Sequence, residues 1–412
     1  MNLAVISVAA LALAVIVSCV SSVNVGVLAI ALAWIVGVYV GGQSVSTIMG
    51  GFPAQLFLTL TGVTLLFSLA QTNGTLERIT HHAVRLCRGN RGVIPIMFFL
   101  LGATLSSMGP GNIATAALVA PLAMATATSS KIPLFLMAIM VGNGANAGAL
   151  SPFAPTGIIV NGLMSRNGLP GFEVQTYLYN LAAHATVAFL GYALFGGLRL
   201  FGTGSVSALQ LEDGTDGTLR ARHWLTIGVI ASLILSVIFA QTNVGMAAFV
   251  GAAVLVLARA ADDGEAIKRM PWRVIVMVCG VTVLIALVER AQGIDLLVSL
   301  VAKISSPTTV TFVVAALTAV VSVYSSTSGV VLPAFLPMVP GLAAALPGAS
   351  ALAIASSMNI GGHLVDVSPL STIGALCLAG APADESRMLF NKLLAWGLSM
   401  CVVGAFLCYL VF

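Results

Sequence analysis

Charge is what this chain has least of. Only 7% of its 412 residues are Asp, Glu, Lys or Arg, against 59% hydrophobic residues and a mean hydropathy of +1.07. That scarcity excludes a soluble domain of ordinary size. The largest polar segment, 202–223, is long enough only for a loop. No basic surface is interleaved with aromatics, so nucleic acid is not an expected partner. The six cysteines (Cys19, Cys87, Cys279, Cys377, Cys401, Cys408) show no metal-ligand spacing. Most lie in apolar runs, where a thiol acts as a small buried hydrophobe. The apolar start, 1–20, lacks the basic segment of a secretory signal and reads as a retained first helix.

What is present is a pattern that occurs twice. Asn24-Val25-Gly26, Gly62-Val63-Thr64-Leu65-Leu66, a polar run from Ser107 to Asn112, and Asn146 to Pro152 follow one another. Asn243-Val244-Gly245, Gly280-Val281-Thr282-Val283-Leu284, Ser325 to Gly329, and Asn359 to Pro369 repeat that order, shifted by 213 to 219 residues. The basic residues trade places between the copies. Arg78, Arg85, Arg88 and Arg91 follow the first Gly-Val-Thr segment, whereas Arg259, Lys268, Arg269 and Arg273 precede the second. Basic loops stay in the cytoplasm, so equivalent segments cross the membrane in opposite directions. An inverted repeat with matching polar interruptions is a transporter signature.

A bilayer-spanning helix needs about 20 apolar residues. Spans are expected near 3–20, 24–40, 54–72, 132–163, 174–199, 224–241, 244–259, 273–290, 351–380 and 389–411. Two segments, 93–128 and 309–347, instead read as helical hairpins that enter and leave on one side. Their tips are Ser106 to Asn112 and Ser325 to Gly329. With hairpins there, every Lys and Arg except Arg166, Arg290 and Lys303 falls in the cytoplasm, and both termini lie outside. The expected units are an N-terminal repeat over 1–201, a cytoplasmic linker over 202–222 and a C-terminal repeat over 223–412. Spans 132–163 and 351–380 carry Gly, Asn and Pro at densities that break a helix. Unwound backbone survives in hydrocarbon only where it lines a cavity.

Open carbonyls and hydroxyls suit sodium, and helix N-termini suit a carboxylate. For the anion the candidates are the helix starts after Asn112 and Ser328, with Asn112, Thr115, Ser151, Thr156, Ser326, Thr327, Ser328, His363 and Ser368. One cation set comprises Ser107, Asn112 and the carbonyls of Ala145, Asn146 and Gly148. Its symmetry mate comprises Ser322, Ser326, Thr327 and the carbonyls of Asn359 to Gly362. No Lys or Arg lies in the hairpin arms or the broken centres, which favours a small anion imported with cations. Asp366 is the one acid placed deep in a span, and His363 precedes it by a turn. A mid-bilayer charge costs roughly 2.5–3.5 kcal/mol on insertion scales, so Asp366 is a coupling candidate. His184, alone on an apolar run, reads as packing.

These residues resemble the ion-transporter superfamily, specifically the dicarboxylate carrier MatC family and more distantly the divalent anion/sodium symporters. The best local match is Gly111-Asn112-Ile113-Ala114-Thr115-Ala116-Ala117-Leu118-Val119-Ala120-Pro121. The symporters carry a Ser-Asn-Thr tip, a similar Ala-Thr-Ala-Ala run and a proline. Asn112 is kept here, Gly111 and Ile113 replace both hydroxyl residues, and Ser107 matches the preceding tip serine. Ser326-Thr327-Ser328 fills the second tip without an asparagine, and Pro333 or Pro337 matches the proline. The resemblance implies an all-α homodimeric elevator transporter of the bacterial inner membrane. It also implies uptake of a C3 or C4 dicarboxylate, typically malonate, coupled to two or more sodium ions with no organic cofactor. A proton-coupled carrier or antiporter using Asp366 and His363 is the alternative. An intramembrane protease built on Ser328 and His363 lacks the Gly-x-Ser-Gly context, and a passive channel leaves hairpins entering from opposite sides without a purpose.

Overall fold

The computed structural model describes residues 2–21, 23–86, 89–202, 205–206 and 218–412. Cys87, Arg88 and most of the expected linker lie outside the described residues, and so does the side chain of Arg85. Among the described residues, eight helices are long and apolar enough to cross a membrane and five further apolar helices are shorter.

The element order repeats. In the first half α1 (Leu3–Val20), α2 (Val25–Trp34, prolonged by a π turn to Val40), short α3 (Val45–Met49) and α4 (Ala54–Thr72) lead to α5 (Thr75–Leu86). Then follow α6 (Val93–Met108), α7 (Gly111–Ser129), α8 (Leu134–Ala147), α9 (Pro155–Arg166) and α10 (Glu173–Leu194). The second half runs α11 (Ala221–Ala240), α12 (Val244–Leu257), α13 (Asp263–Arg269), α14 (Trp272–Arg290), α15 (Gly293–Lys303) and α16 (Val310–Ser322). It ends with α17 (Thr327–Ala345), α18 (Ala351–Leu364), α19 (Thr372–Ala379) and α20 (Ala383–Val411).

The repeated motifs have a local cause. Asn24 and Asn243 each cap a helix, accepting from Gly26 N at 3.0 Å and from Met246 N at 3.1 Å. The glycines after them are contact points. A Cβ on Gly26 would lie 2.2 Å from Val276 O, and one on Gly280 would lie 2.2 Å from Gly26 O. Likewise a Cβ on Gly62 would lie 2.4 Å from Gly245 O. So α2 crosses α14, and α12 crosses α4, with backbones touching where each Asn-Val-Gly meets the other half's Gly-Val-Thr.

The two segments expected as hairpins are each a pair of helices joined by a tight turn, α6 with α7 and α16 with α17. Their return arms differ. Pro121 alone interrupts α7, whereas Pro333, Pro337 and Pro340 remove three N–H donors from α17, which mixes π, α and 3₁₀ turns. The broken helices require a correction. The Gly-Asn runs stay helical, α8 through Ala147 and α18 through Leu364, and the chain unwinds only after them. These glycines serve close packing: a Cβ on Gly144 would meet Phe99 O at 2.5 Å, and one on Gly361 would meet Ala315 O at 2.3 Å. The breaks are also built alike. A Cβ on Gly157 or Gly374 would sit 2.0 Å from the carbonyl of Ser151 or Ser368. The expected basic loop after α4 is largely α5, an amphipathic helix.

Candidate functional site

Asn112 opens α7 at the first tip. It is buried, and it lines two cavities of about 310 and 260 Å³. Its Nδ2 donates to Asn146 Oδ1 at 2.9 Å, and its Oδ1 accepts from Ile113 N. Asn146 is tied in turn. Its carbonyl accepts from Asn180 Nδ2 at 2.8 Å, and its own Nδ2 lies 3.5 Å from His363 O on the other half. One rung away, His184 Nδ1 meets Asn143 Oδ1 at 2.9 Å. Asn143 Nδ2 already donates to Ile139 O, so the proton of that second bond sits on the imidazole.

The second tip is built differently. Ser326 Oγ caps the turn that opens α17, accepting from Gly329 N. Thr327 Oγ1 lies 2.9 Å from Asp366 Oδ1 and 3.3 Å from Gly362 O, and it hydrogen-bonds Ser322 Oγ. Three oxygens from the hairpin and the broken segment, one of them a carboxylate, therefore meet around a single hydroxyl. Ser322, Ser326, Thr327, Ser328, His363 and Asp366 all line the larger cavity with Asn112. The smaller cavity shares Asn112 and Ser328 and adds Thr156.

Other expectations are redirected. Ser107 turns its hydroxyl to Ala103 O (2.7 Å) and Tyr177 OH (2.9 Å), away from both cavities. Its carbonyl accepts from Ser151 Oγ at 2.7 Å, so Ser151 buttresses the tip from behind. Thr115 is fully buried one turn inside α7, with its hydroxyl unpartnered. Ser368 packs against Gly397 and accepts from Leu370 N. Ala145 is buried within α8, and Gly148 abuts Ala103 O. The backbone carbonyl of Asn359 accepts from His363 Nδ1 at 2.8 Å, and the Asn359 side-chain amide is buried without a hydrogen-bond partner. Of the first cation set, Asn112 lines the two cavities, and Ser107, Ala145, Asn146 and Gly148 are not among their described lining residues.

The expected Asp366–His363 contact is not formed either. His363 is still helical and bonds one turn back, whereas Asp366 sits on the 3₁₀ turn beyond the helix end and faces Thr327. Sequence reasoning misses Asn180 and Tyr177. Both share a helical stripe with His184, and three polar residues at i, i+3 and i+7 on an apolar helix are the available signal. It also takes Arg273 only as a topology marker, yet Arg273 lines the larger cavity.

Both cavities lie toward the end of the molecule where α1 stops and α14 starts, beside Ser21, Gln71, Arg269 and Arg273. A third cavity, at the other end of α4 beside Pro53, contains none of the candidate residues.

Comparisons with known proteins bear on this geometry. Residues 1–149 match the family model described as the dicarboxylate carrier protein MatC N-terminus. The match includes the Gly111–Pro121 segment, so the resemblance carried by that segment is borne out over this part of the chain. No curated protein matches the chain. Among solved structures it is similar to that of the Alcanivorax borkumensis YdaH transporter, at 18% identity with a TM-score of 0.60, over 90% of this chain and 88% of that one. At that identity the likeness is one of fold.

Proposed function

We propose that this chain, whose first 149 residues match the N-terminal model of the MatC dicarboxylate carriers, is a secondary transporter that imports a small dicarboxylate. The observation that carries the reading is the meeting of both hairpin tips and one broken segment at a single polar cavity. Malonate, or a C4 acid such as succinate, is the proposed substrate. Asn112 and the hydroxyls of Ser326 and Ser328 would hold one carboxylate beside the N-terminal ends of α7 and α17.

Sodium is the proposed coupling ion. Ser322 Oγ, Thr327 Oγ1, the Gly362 carbonyl and Asp366 form an all-oxygen set with one negative charge, which fits a hard monovalent cation. Bound there, sodium would offset Asp366 and present positive charge to the substrate. The first-half set lacks such convergence, so the fit supports one cation at this site. Asp366 and His363 bond to Thr327 and to the Asn359 carbonyl, which favours this reading over a proton relay between them.

The repeated element order and the reciprocal crossings of α2 with α14 and α4 with α12 support the reading of two inverted halves, 1–201 and 223–412, joined by the linker 202–222. In this reading the hairpins and broken helices move as an elevator past a fixed scaffold of a homodimer in a bacterial inner membrane, with both termini outside. Cavities beside Arg269 and Arg273 then correspond to a cytoplasm-facing state.

Reconstituted vesicles test the function. Labelled malonate or succinate should accumulate under a sodium gradient and fail to do so without one. Accumulation driven by a pH gradient in sodium-free vesicles, and lost in Asp366→Asn, would install the proton reading. Topology has its own test. Single cysteines replacing Asn90 and Glu265 should label from the cytoplasm, and one replacing Gly168 should label from outside. Labelling of all three from one side would sink the hairpin arrangement.

A further inference from the structure

Among the described residues, the larger cavity is lined by one group of each charge, Asp366 from the broken segment and Arg273 from the first turn of α14. The remaining polar lining that could meet a carboxylate is neutral apart from the His363 ring. A dicarboxylate brings two negative charges into this space. A cation beside Asp366 is balanced by that carboxylate; Asn112 and the tip hydroxyls would hold one substrate carboxylate, and for the other the described lining offers one cationic side chain. Arg273 is suited to that task, since a guanidinium pairs with a carboxylate through two parallel N–H donors.

Its position is set by a different part of the molecule from the other ligands. Asn24 Nδ2 donates to the Arg273 carbonyl at 3.0 Å, tying this turn to the start of α2. A few residues on, α2 and α14 touch backbone to backbone at Gly26 and Gly280. Asn112, Ser326 and Thr327, by contrast, ride on the hairpins.

We propose that Arg273 is a specificity-determining residue that takes the substrate's second carboxylate, selects dicarboxylates over monocarboxylates, and does so only while the site faces the cytoplasm. The side restriction rests on the reading of mobile hairpins against a fixed α2–α14 pair.

The test uses Arg273→Gln and Arg273→Lys in the full chain. With sodium present, labelled succinate should bind purified Arg273→Gln at least tenfold more weakly than the parent protein. Butyrate should compete equally poorly against both, and Arg273→Lys should recover part of the loss. In oriented vesicles the ratio of cytoplasmic to external KM for succinate should rise about tenfold. Succinate binding that is unchanged in Arg273→Gln, or succinate and butyrate weakened alike, would overturn the assignment while leaving the carrier reading intact. An equal rise of KM on both faces would overturn the side restriction. Absence of any succinate binding or flux in the parent protein would overturn the carrier reading and the role of Arg273 together.

Discussion

At the first tip the chain turns through Gly109 and Pro110 and gives its one cavity-facing polar side chain, Asn112, to another amide, that of Asn146. At the second, an unwound Ser325-Ser326 leads into Thr327, whose hydroxyl touches a serine, a carbonyl and a carboxylate. The positions correspond in sequence, yet one site pairs its polar groups internally while the other gathers oxygens around a negative charge. The two amides share one hydrogen bond, and their remaining groups meet the backbone at Ile113 N and His363 O, all neutral partners. Oxygens around one carboxylate present more acceptors than protons, and that imbalance is what a cation relieves. The two halves thus share an element order while their tips differ in chemistry.

The largest effect should come from the charge. Asp366→Asn keeps the shape of the side chain and removes the one carboxylate among the described residues lining the larger cavity. Sodium-dependent initial uptake should fall at least about 100-fold, equivalent to about 2.7 kcal/mol. Retention of sodium dependence in this variant, measured at matched expression, would detach the cation from the second tip.

Asn112→Ala comes next. It takes an amide from the cavity and leaves Asn146 Oδ1 without its donor, while the glycine-proline turn is untouched. A fall in transport of about tenfold, or 1.4 kcal/mol, is expected with sodium affinity unchanged. A shift of sodium affinity instead would mean that the first tip holds a cation after all. Ser326→Ala should be milder, about threefold, because neighbouring hydroxyls remain in the cavity.

Much of this architecture is legible in the residues alone. Hydropathy marks 54–72 as apolar and helical, and it is α4; polar tips between apolar arms mark two turns, and α6–α7 and α16–α17 are helix pairs joined at those tips. Hydrophobic length and charge sidedness are strong signals because the bilayer enforces them. The site is less legible for a reason specific to glycine. Composition predicts that Gly142 to Gly148 and Asn359 to Gly362 unwind and offer carbonyls. In the fold all but Gly148, which follows the end of α8, are helical, and the missing Cβ atoms admit α6 and α16 instead. A glycine that breaks a helix and one that permits contact look the same in sequence, and only the partner helix separates them. Asp366 and His363 show a second limit. Three residues apart, they would share a face of a continuous helix, but the helix ends between them and their directions part.

The smallest effect is the sharpest discriminator between the tips. Ser107 and Ser322 are 215 residues apart and equivalent in the repeat. Each ends the first arm of its hairpin, and sequence alone assigns them the same cation role. The structure separates them. Ser107 Oγ bonds Ala103 O and Tyr177 OH, on the side of α6 that faces α10, and the Ser107 carbonyl that holds Ser151 is a backbone group that survives substitution. Ser322 Oγ bonds Thr327 inside the oxygen cluster. Ser107→Ala should therefore change uptake by less than about twofold. Its cost should appear in thermal unfolding, where one lost hydrogen bond removes about 0.5–1.5 kcal/mol. Ser322→Ala should raise the sodium concentration for half-maximal uptake severalfold with little change in melting. Parallel titrations of sodium against succinate uptake in the two variants decide the matter. If they shift sodium dependence equally, the two tips are functionally symmetric and the distinction drawn between them is lost.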